Sequence, residues 1–217
     1  MLRLNLPGFP GRTLKILCLG AHPDDIEIGC GGSILRLLEE GHSIKAWWVV
    51  FGAHGERKAE AEASACLFLG KAKEKKIVIH DFKDGFFPYY GAELKERFES
   101  LKRSVSPDIV MTHYRNDLHQ DHRSISELTW NTFRDHLILE YEILKYDGDL
   151  GAPNCFVYLS DQLCERKIEY IRSCFKSQAG RHWFGDDTFR AMLRVRGVES
   201  NAPEKYSEAF YCRKIVF

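Results

Sequence analysis

The stretch LKILCLGAHPDDIEIGCGGSILRLL (residues 14–38) decides the fold, because a strand, a polar loop and a helix follow one another directly in it. Residues 14–19 form a nearly continuous apolar run, typical of a strand buried on both faces of a parallel sheet. Apolar residues at 34, 35, 37 and 38 have helical spacing, and Gly41 follows as a stop signal. The loop between them contains a His, two adjacent Asp and a Glu. This pattern predicts a βα unit with a polar loop at the carboxyl end of its strand.

The same alternation continues along the chain. Further strands are predicted over residues 44–51, 76–80 and 108–112, and helices over residues 56–69, 92–105 and 123–137. This alternation of strands and helices predicts an α/β fold with a Rossmann-like, doubly wound and mostly parallel sheet flanked by helices. The C-terminal third is less regular, with strands predicted over 142–146 and 155–159 and a helix over 161–175. Residues 178–206 show no clear period, and the length favours a single domain over 1–217.

Charge and composition exclude several classes of function. Lys and Arg total 31 and Asp and Glu total 31, so the net charge is zero and a nucleic-acid partner is not expected. Pro and Gly interrupt the N-terminus, so we expect no signal peptide, and no run reaches the roughly 20 apolar residues of a membrane span. The seven cysteines are scattered and form no CxxC pair, which favours a reducing, cytoplasmic location.

Polar loops follow the first, second and fourth predicted strands and should meet at one edge of the sheet, where open α/β sheets bind ligands. His22 and Asp25 are three residues apart in the first loop, and His119 and His122 are three apart in the last. Two His and one carboxylate around an open position form a common catalytic divalent-metal arrangement. The glycines of residues 29–32 match neither the dinucleotide-binding pattern GxGxxG nor the P-loop, and the three carboxylates before them would repel a phosphate. We therefore assign these glycines to tight packing or a special backbone angle.

Four segments together resemble one known family. AHPDDIEIGCGG (residues 21–32) and HQDH (residues 119–122) are similar to motifs of the zinc-dependent PIG-L/LmbE-like deacetylases, which remove N-acetyl groups from glucosamine-type sugars. Arg57 with Glu60, and YSEAF (residues 206–210), resemble weaker features of the family. The resemblance runs from about residue 14 to 210, and the LmbE-like fold it implies is the one that the periodicity predicts.

The resemblance implies a role for each matching residue. The positions that match the zinc ligands are His22, Asp25 and His122. Asp24 matches the general base, and a protonated His119 would steady the tetrahedral intermediate. Asp121 matches a carboxylate that orients a neighbouring His, expected to be His119 two residues away, although a helix N-cap is an equally good interpretation. Arg57 is a candidate for substrate binding, with an ordinary surface arginine as the alternative.

The leading hypothesis is therefore a metal-dependent amide hydrolase that deacetylates an N-acetylated amino sugar or its conjugate. The resemblance implies Zn²⁺, with Fe²⁺ or another divalent metal as the alternative. An iron(II) oxygenase and a non-catalytic sugar-binding module are the competing hypotheses. A small N-acetyl sugar is the expected partner. The family's members commonly assemble, which leaves a homo-oligomer open.

Overall fold

The computed structural model describes residues 12–216, and its centre is a mixed sheet of seven strands in the order β3-β2-β1-β4-β5-β7-β6. The strands are β1 Leu14–Gly20, β2 Ile44–Val50, β3 Glu74–Ile79, β4 Ile109–His113, β5 Leu137–Tyr141, β6 Cys155–Leu159 and β7 Tyr206–Cys212. The helices are α1 Asp25–Glu39, α2 Gly55–Phe68, α3 Gly91–Ser104, α4 Gln120–Thr132, α5 Asp161–Cys174 and α6 Asp186–Glu199.

The order of the strands places the topological switch point of the sheet between β1 and β4. The first three strands extend the sheet in one direction, and the chain then returns to pair β4 with the other side of β1. Strands β1 to β5 are parallel, whereas β7 is antiparallel to both β5 and β6. The predicted mostly parallel, doubly wound sheet is thus confirmed. The loops after β1 and β4 meet where the strand order reverses, the usual ligand site of such sheets.

Alternating side chains of the buried strands form one core on each face of the sheet. Ile16 and Cys18 of β1 point towards the layer of α1, α2, α5 and α6, whereas Leu17 and Leu19 point towards α3 and α4. Each face is covered by helices, which explains why the strand reads as a continuous apolar run.

Three predictions for the second half of the chain were wrong. Helix α4 ends at Thr132, five residues before the predicted end, and β5 occupies residues 137–141 in place of the predicted strand over 142–146. The segment over 178–206, expected to be irregular, contains helix α6. Strand β7, which pairs antiparallel between β5 and β6, was not predicted.

A buried ion pair fixes α1 to the C-terminal strand. Glu208 of β7 accepts hydrogen bonds from the backbone N–H groups of Gly32 (2.8 Å) and Ser33 (2.7 Å) and from the Ser33 hydroxyl (2.6 Å). Nζ of Lys167 lies 2.6 Å from Oε1 of Glu208 and also donates to the carbonyl of Ile28 at 2.6 Å. The YSEAF segment therefore holds the helix that begins in the polar loop.

The glycines of α1 allow close packing. A Cβ on Gly29 would lie 2.1 Å from the Tyr141 ring, and one on Gly31 would lie 2.5 Å from Phe68. The left-handed backbone conformation in this region belongs instead to Asp24, with φ of 89°. Of the two interpretations offered for the glycines, tight packing is the one that the structure supports.

The described residues contain no helix long and apolar enough to cross a membrane. All seven cysteines are free thiols. The prediction about a signal peptide concerns residues 1–17, of which residues 1–11 lie outside the described part of the chain.

Candidate metal centre and active site

Two loops at the switch point between β1 and β4 bring their polar residues together. His22 lies directly after β1, and Asp25 begins α1 three residues later. His122 lies in the first turn of α4, which follows β4. The two halves of the site are about a hundred residues apart in sequence and adjacent in space because β1 and β4 are neighbouring parallel strands.

His22, Asp25 and His122 form a compact cluster, called the inner cluster below. Nδ1 of His22 lies 3.2 Å from Nε2 of His122 and 3.5 Å from Oδ2 of Asp25. One potential ligand atom from each residue lies within 4.8 Å of the others. Two imidazole nitrogens and a carboxylate oxygen are a donor set that suits Zn²⁺ and Fe²⁺. These residues therefore fit a divalent metal ion.

In both His22 and His122, a carboxylate lies beside the ring nitrogen that faces away from the inner cluster. Nδ1 of His122 lies 2.9 Å from Oδ2 of Asp117, and Nε2 of His22 lies 3.1 Å from Oδ2 of Asp121. Lys145 in turn lies 3.0 Å from Asp117. Such partners fix the tautomer and the orientation of a metal-ligating histidine. The inner cluster is thus supported from two sides.

Asp121 contacts a histidine, but this histidine is His22 and not the nearby His119, and Asp121 is not the N-cap of α4. Its carboxylate accepts hydrogen bonds from the backbone N–H groups of Gly85 (2.7 Å) and Phe87 (3.1 Å) and faces His22, not the ring of His119. The N-cap of α4 is His119, whose Nδ1 accepts from the backbone N–H of Asp121. Asp121 therefore joins the loop after β3 to the inner cluster.

Asp24 lies beside the inner cluster and pairs outside it. Its Oδ2 accepts a hydrogen bond from Arg57 at 3.0 Å, and Arg57 also donates to the carbonyl of Pro23 at 2.6 Å. Burial raises the pKa of Asp24 to about 7, although the neighbouring Arg57 guanidinium acts in the opposite direction. By contrast, burial alone would raise the pKa of Asp25, but His122 and His113 hold it well below its usual range. The two adjacent aspartates therefore have opposite acid–base character.

His119 lies at the edge of the inner cluster. Its ring centroid is 5.0 Å from that of His22 and 4.5 Å from that of His122. Burial and the nearby His22 lower its pKa. Because Nδ1 accepts the N–H of Asp121, the hydrogen-bonding pattern assigns the ring proton to Nε2. The ring can then donate a hydrogen bond without carrying a charge.

Two further buried groups adjoin the site. The ring of His113 stacks on that of His122, with centroids 3.9 Å apart. Its Nε2 accepts a hydrogen bond from the backbone N–H of Ala21 at 2.9 Å. The carboxylate of Glu27 is buried without a hydrogen-bond partner among the described residues, and burial raises its pKa to about 8.

Sequence reasoning missed Asp84 and Lys145. Asp84 follows β3, and its Oδ1 lies 3.1 Å from Nε2 of His22. The rule that strand ends meet at one edge applies to β3 as well, but this strand is separated from β1 by β2, so its loop must reach across a neighbour. Lys145 follows β5, a strand whose position was misjudged, so its approach to Asp117 had no sequence signal.

The fold and this cluster define a class: a Rossmann-like α/β protein with a His/Asp cluster that could hold a metal ion at the switch point of the sheet. A family model described as "PIG-L: GlcNAc-PI de-N-acetylase" matches residues 17–133. The chain belongs to this family, and the predicted resemblance is confirmed.

Proteins similar to this chain include two curated relatives and one solved structure. The uncharacterized deacetylase YaiS of Escherichia coli is 32% identical over 120 residues, which are 51% of this chain and 63% of YaiS. The diacetylchitobiose deacetylase of Thermococcus kodakarensis is 31% identical over 109 residues, 45% of this chain and 39% of that protein. The chain thus matches less than two thirds of the length of either relative. The conserved protein TT1542 of Thermus thermophilus has the same fold, with a TM-score of 0.73 at 23% identity over 94% of this chain and 96% of TT1542.

Proposed function

We propose that this protein is a metal-dependent N-deacetylase that hydrolyses the acetamide of an N-acetylated amino sugar to acetate and a free amine. The observation that carries the proposal is the division of two adjacent aspartates, with Asp25 inside the inner cluster and Asp24 beside it. A site that only bound a metal would have no need for the second buried carboxylate. The names of the two curated relatives support the same reaction.

His22, Asp25 and His122 would hold the metal ion, with Zn²⁺ as our first choice and Fe²⁺ as the alternative. A divalent ion there would lower the pKa of a water molecule and polarise the acetyl carbonyl. Asp117 and Asp121 keep the two histidines in the orientation that leaves one nitrogen of each for the ion.

Asp24 is the proposed general base. It takes a proton from the attacking water as the oxygen bonds to the carbonyl carbon, and it returns that proton to the nitrogen when the C–N bond breaks. A pKa of about 7 suits both steps near neutral pH. The left-handed conformation of Asp24 and its bond with Arg57 hold the carboxylate away from the inner cluster. Arg57 is thus proposed to position Asp24, and any contact of Arg57 with the sugar would come from its exposed face.

His119 is the proposed donor to the oxyanion of the tetrahedral intermediate. The N–H at Nε2 is left for this purpose by the bond at Nδ1. Loss of one such donor typically reduces the rate by about 100- to 1,000-fold. We expected a protonated His119; the lowered pKa and the hydrogen-bonding pattern favour a neutral donor instead.

The substrate we propose is a small N-acetylglucosamine derivative, because the chain resembles a diacetylchitobiose deacetylase over 109 residues. A cytoplasmic location and a single domain over residues 1–217 remain part of the proposal. A homo-oligomer remains open.

The test measures acetate release from N-acetylglucosamine, diacetylchitobiose and a simple N-acetylglucosaminide, with metal-free, Zn²⁺-loaded and anaerobically Fe²⁺-loaded protein. We expect acetate and an equal amount of free amine from at least one substrate, and only with metal present. Oxygen uptake without acetate would favour the iron oxygenase. Sugar binding without any turnover would favour the binding module, and either result would contradict the proposal.

A further inference from the structure

The two ring nitrogens of His22 face two different groups of potential ligands. Nδ1 points to the inner cluster, as described above. Nε2 lies 3.1 Å from Oδ1 of Asp84 and 3.1 Å from Oδ2 of Asp121. The proposed function uses only the first side of the ring as a ligand. The second side therefore needs its own explanation.

His22, Asp84 and His119 form a second group, called the outer cluster below. One potential ligand atom from each residue lies within 4.8 Å of the others. The rings of His22 and His119 meet edge to face, with centroids 5.0 Å apart. The donor set is again two imidazole nitrogens and one carboxylate, which suits Zn²⁺. The outer cluster thus has the chemistry of the inner one.

The outer cluster is open to solvent where the inner one is not. The side chain of Asp84 is 73% exposed, whereas that of Asp25 is 5% exposed. An ion from solution can therefore reach the outer cluster without passing through the inner one. Exposure of one ligand also predicts weaker binding, because that side chain must be ordered when the ion binds.

We propose that His22, Asp84 and His119 form a second metal site, which binds an additional Zn²⁺ and inhibits the enzyme. An ion at this site would occupy His119, the donor proposed for the oxyanion. It would also displace the ring proton of His22 from Nε2 to solvent, which leaves this ring as an imidazolate between the two ions and removes its hydrogen bond to Asp121. Occupation of the outer site therefore removes the proposed oxyanion donor, His119, and weakens the support of His22 in the inner cluster. The inhibition rests on the proposed function, whereas the binding does not.

The experiment counts bound ions. Metal-free protein is dialysed against increasing free Zn²⁺, and the amount bound is measured for the wild type, Asp84→Asn and the control Asp81→Asn. Asp81 is an exposed carboxylate of the same loop that belongs to none of the metal-binding groups. We expect two ions in the wild type and in the control, the second bound more weakly. Asp84→Asn should bind the second ion at least about 10-fold more weakly, the lower end for loss of a supporting contact at a metal site.

Acetate release from the same samples tests inhibition. The wild type and Asp81→Asn should lose activity as the second ion binds, whereas Asp84→Asn should keep its activity at the same Zn²⁺ concentration. A wild type that binds a single ion would overturn the proposal, as would a second ion that binds Asp84→Asn with unchanged affinity. If no sample releases acetate, the proposed function fails, and the dialysis still decides whether the outer site exists.

Discussion

Removal of the Glu208 carboxylate tests how α1 is held in place. In the variant Glu208→Gln, the ammonium group of Lys167 stays buried but loses its counter-charge. Both side chains are at most 3% exposed, so water does not screen the loss. Breaking a buried pair by removing one partner costs about 3–5 kcal/mol. The neutral amide can still accept a hydrogen bond from Gly32 or Ser33, so we take the pair as the dominant contribution.

This cost is large for a protein of this size. Typical domains are stable by about 5–15 kcal/mol, so the variant should lose a substantial fraction of its free energy of unfolding. For a chain of about 200 residues, 1 kcal/mol shifts Tm by about 2–4 °C, so a loss of 3–5 kcal/mol predicts a decrease of roughly 6–20 °C. The double variant Glu208→Gln/Lys167→Met removes both charges and should recover part of this loss.

Urea unfolding followed by circular dichroism, with chelator present in every sample, measures the change directly. The matched control is Glu40→Gln, which removes the exposed carboxylate of the surface pair with Arg36 and should change stability by less than about 1 kcal/mol. A loss below about 1 kcal/mol in Glu208→Gln would refute the reasoning, because an unpaired buried charge should lower the stability by more than that. The reasoning would also be refuted if the losses in free energy of unfolding of Glu208→Gln and Lys167→Met simply added in the double variant.

Three further predictions concern the surroundings of the site. Gly29→Ala should lower Tm, at a cost of about 1–3 kcal/mol for overpacking, because the new methyl group would meet the Tyr141 ring. The control is Gly91→Ala, whose methyl group would have no neighbour within 4 Å beyond the adjacent residues and the backbone of its own helix. Lys145→Met should weaken Zn²⁺ binding by about 10- to 100-fold in a competition assay with a chromophoric chelator, because it releases Asp117 from the contact that fixes it against the inner cluster. Removal of metal from the wild type should lower stability by about 2.7 kcal/mol relative to free Zn²⁺ at 100 times its dissociation constant, as measured by calorimetry.

Each of these predictions has an outcome that contradicts it. Equal Tm values for the two glycine variants would mean that α1 and β5 are not in close contact. Unchanged Zn²⁺ affinity in the lysine variant would show that the carboxylate is held without the ammonium group. A Tm that does not respond to added Zn²⁺ would count against any metal site in the folded protein.

The sequence predicted those parts of the site that depend on chain topology. His22 and His122 could be brought together from a distance of 100 residues because consecutive βα units place the ends of parallel strands at one edge. The αL conformation of Asp24 had no such signal, since aspartate adopts it only where the surrounding structure requires it.

Other features depend on contacts that no local pattern records. The partner of Asp121 is His22, which belongs to a different loop, so proximity in sequence suggested His119 instead. Strand β7 enters the sheet between β5 and β6, and its short apolar run did not reveal an antiparallel strand inserted there. Asp84 was missed because it reaches the site across an intervening strand.

The central claim is that two adjacent aspartates perform different tasks, and one measurement tests it directly. Zn²⁺ content and acetate release are determined on the same samples of the wild type, Asp24→Asn and Asp25→Asn. Asparagine tolerates a positive φ at least as well as aspartate, so Asp24→Asn removes the charge and keeps the loop conformation. We predict that Asp24→Asn retains one tightly bound Zn²⁺ and loses acetate release, whereas Asp25→Asn loses both. Normal turnover by Asp24→Asn, or full Zn²⁺ content in Asp25→Asn, would contradict the claim.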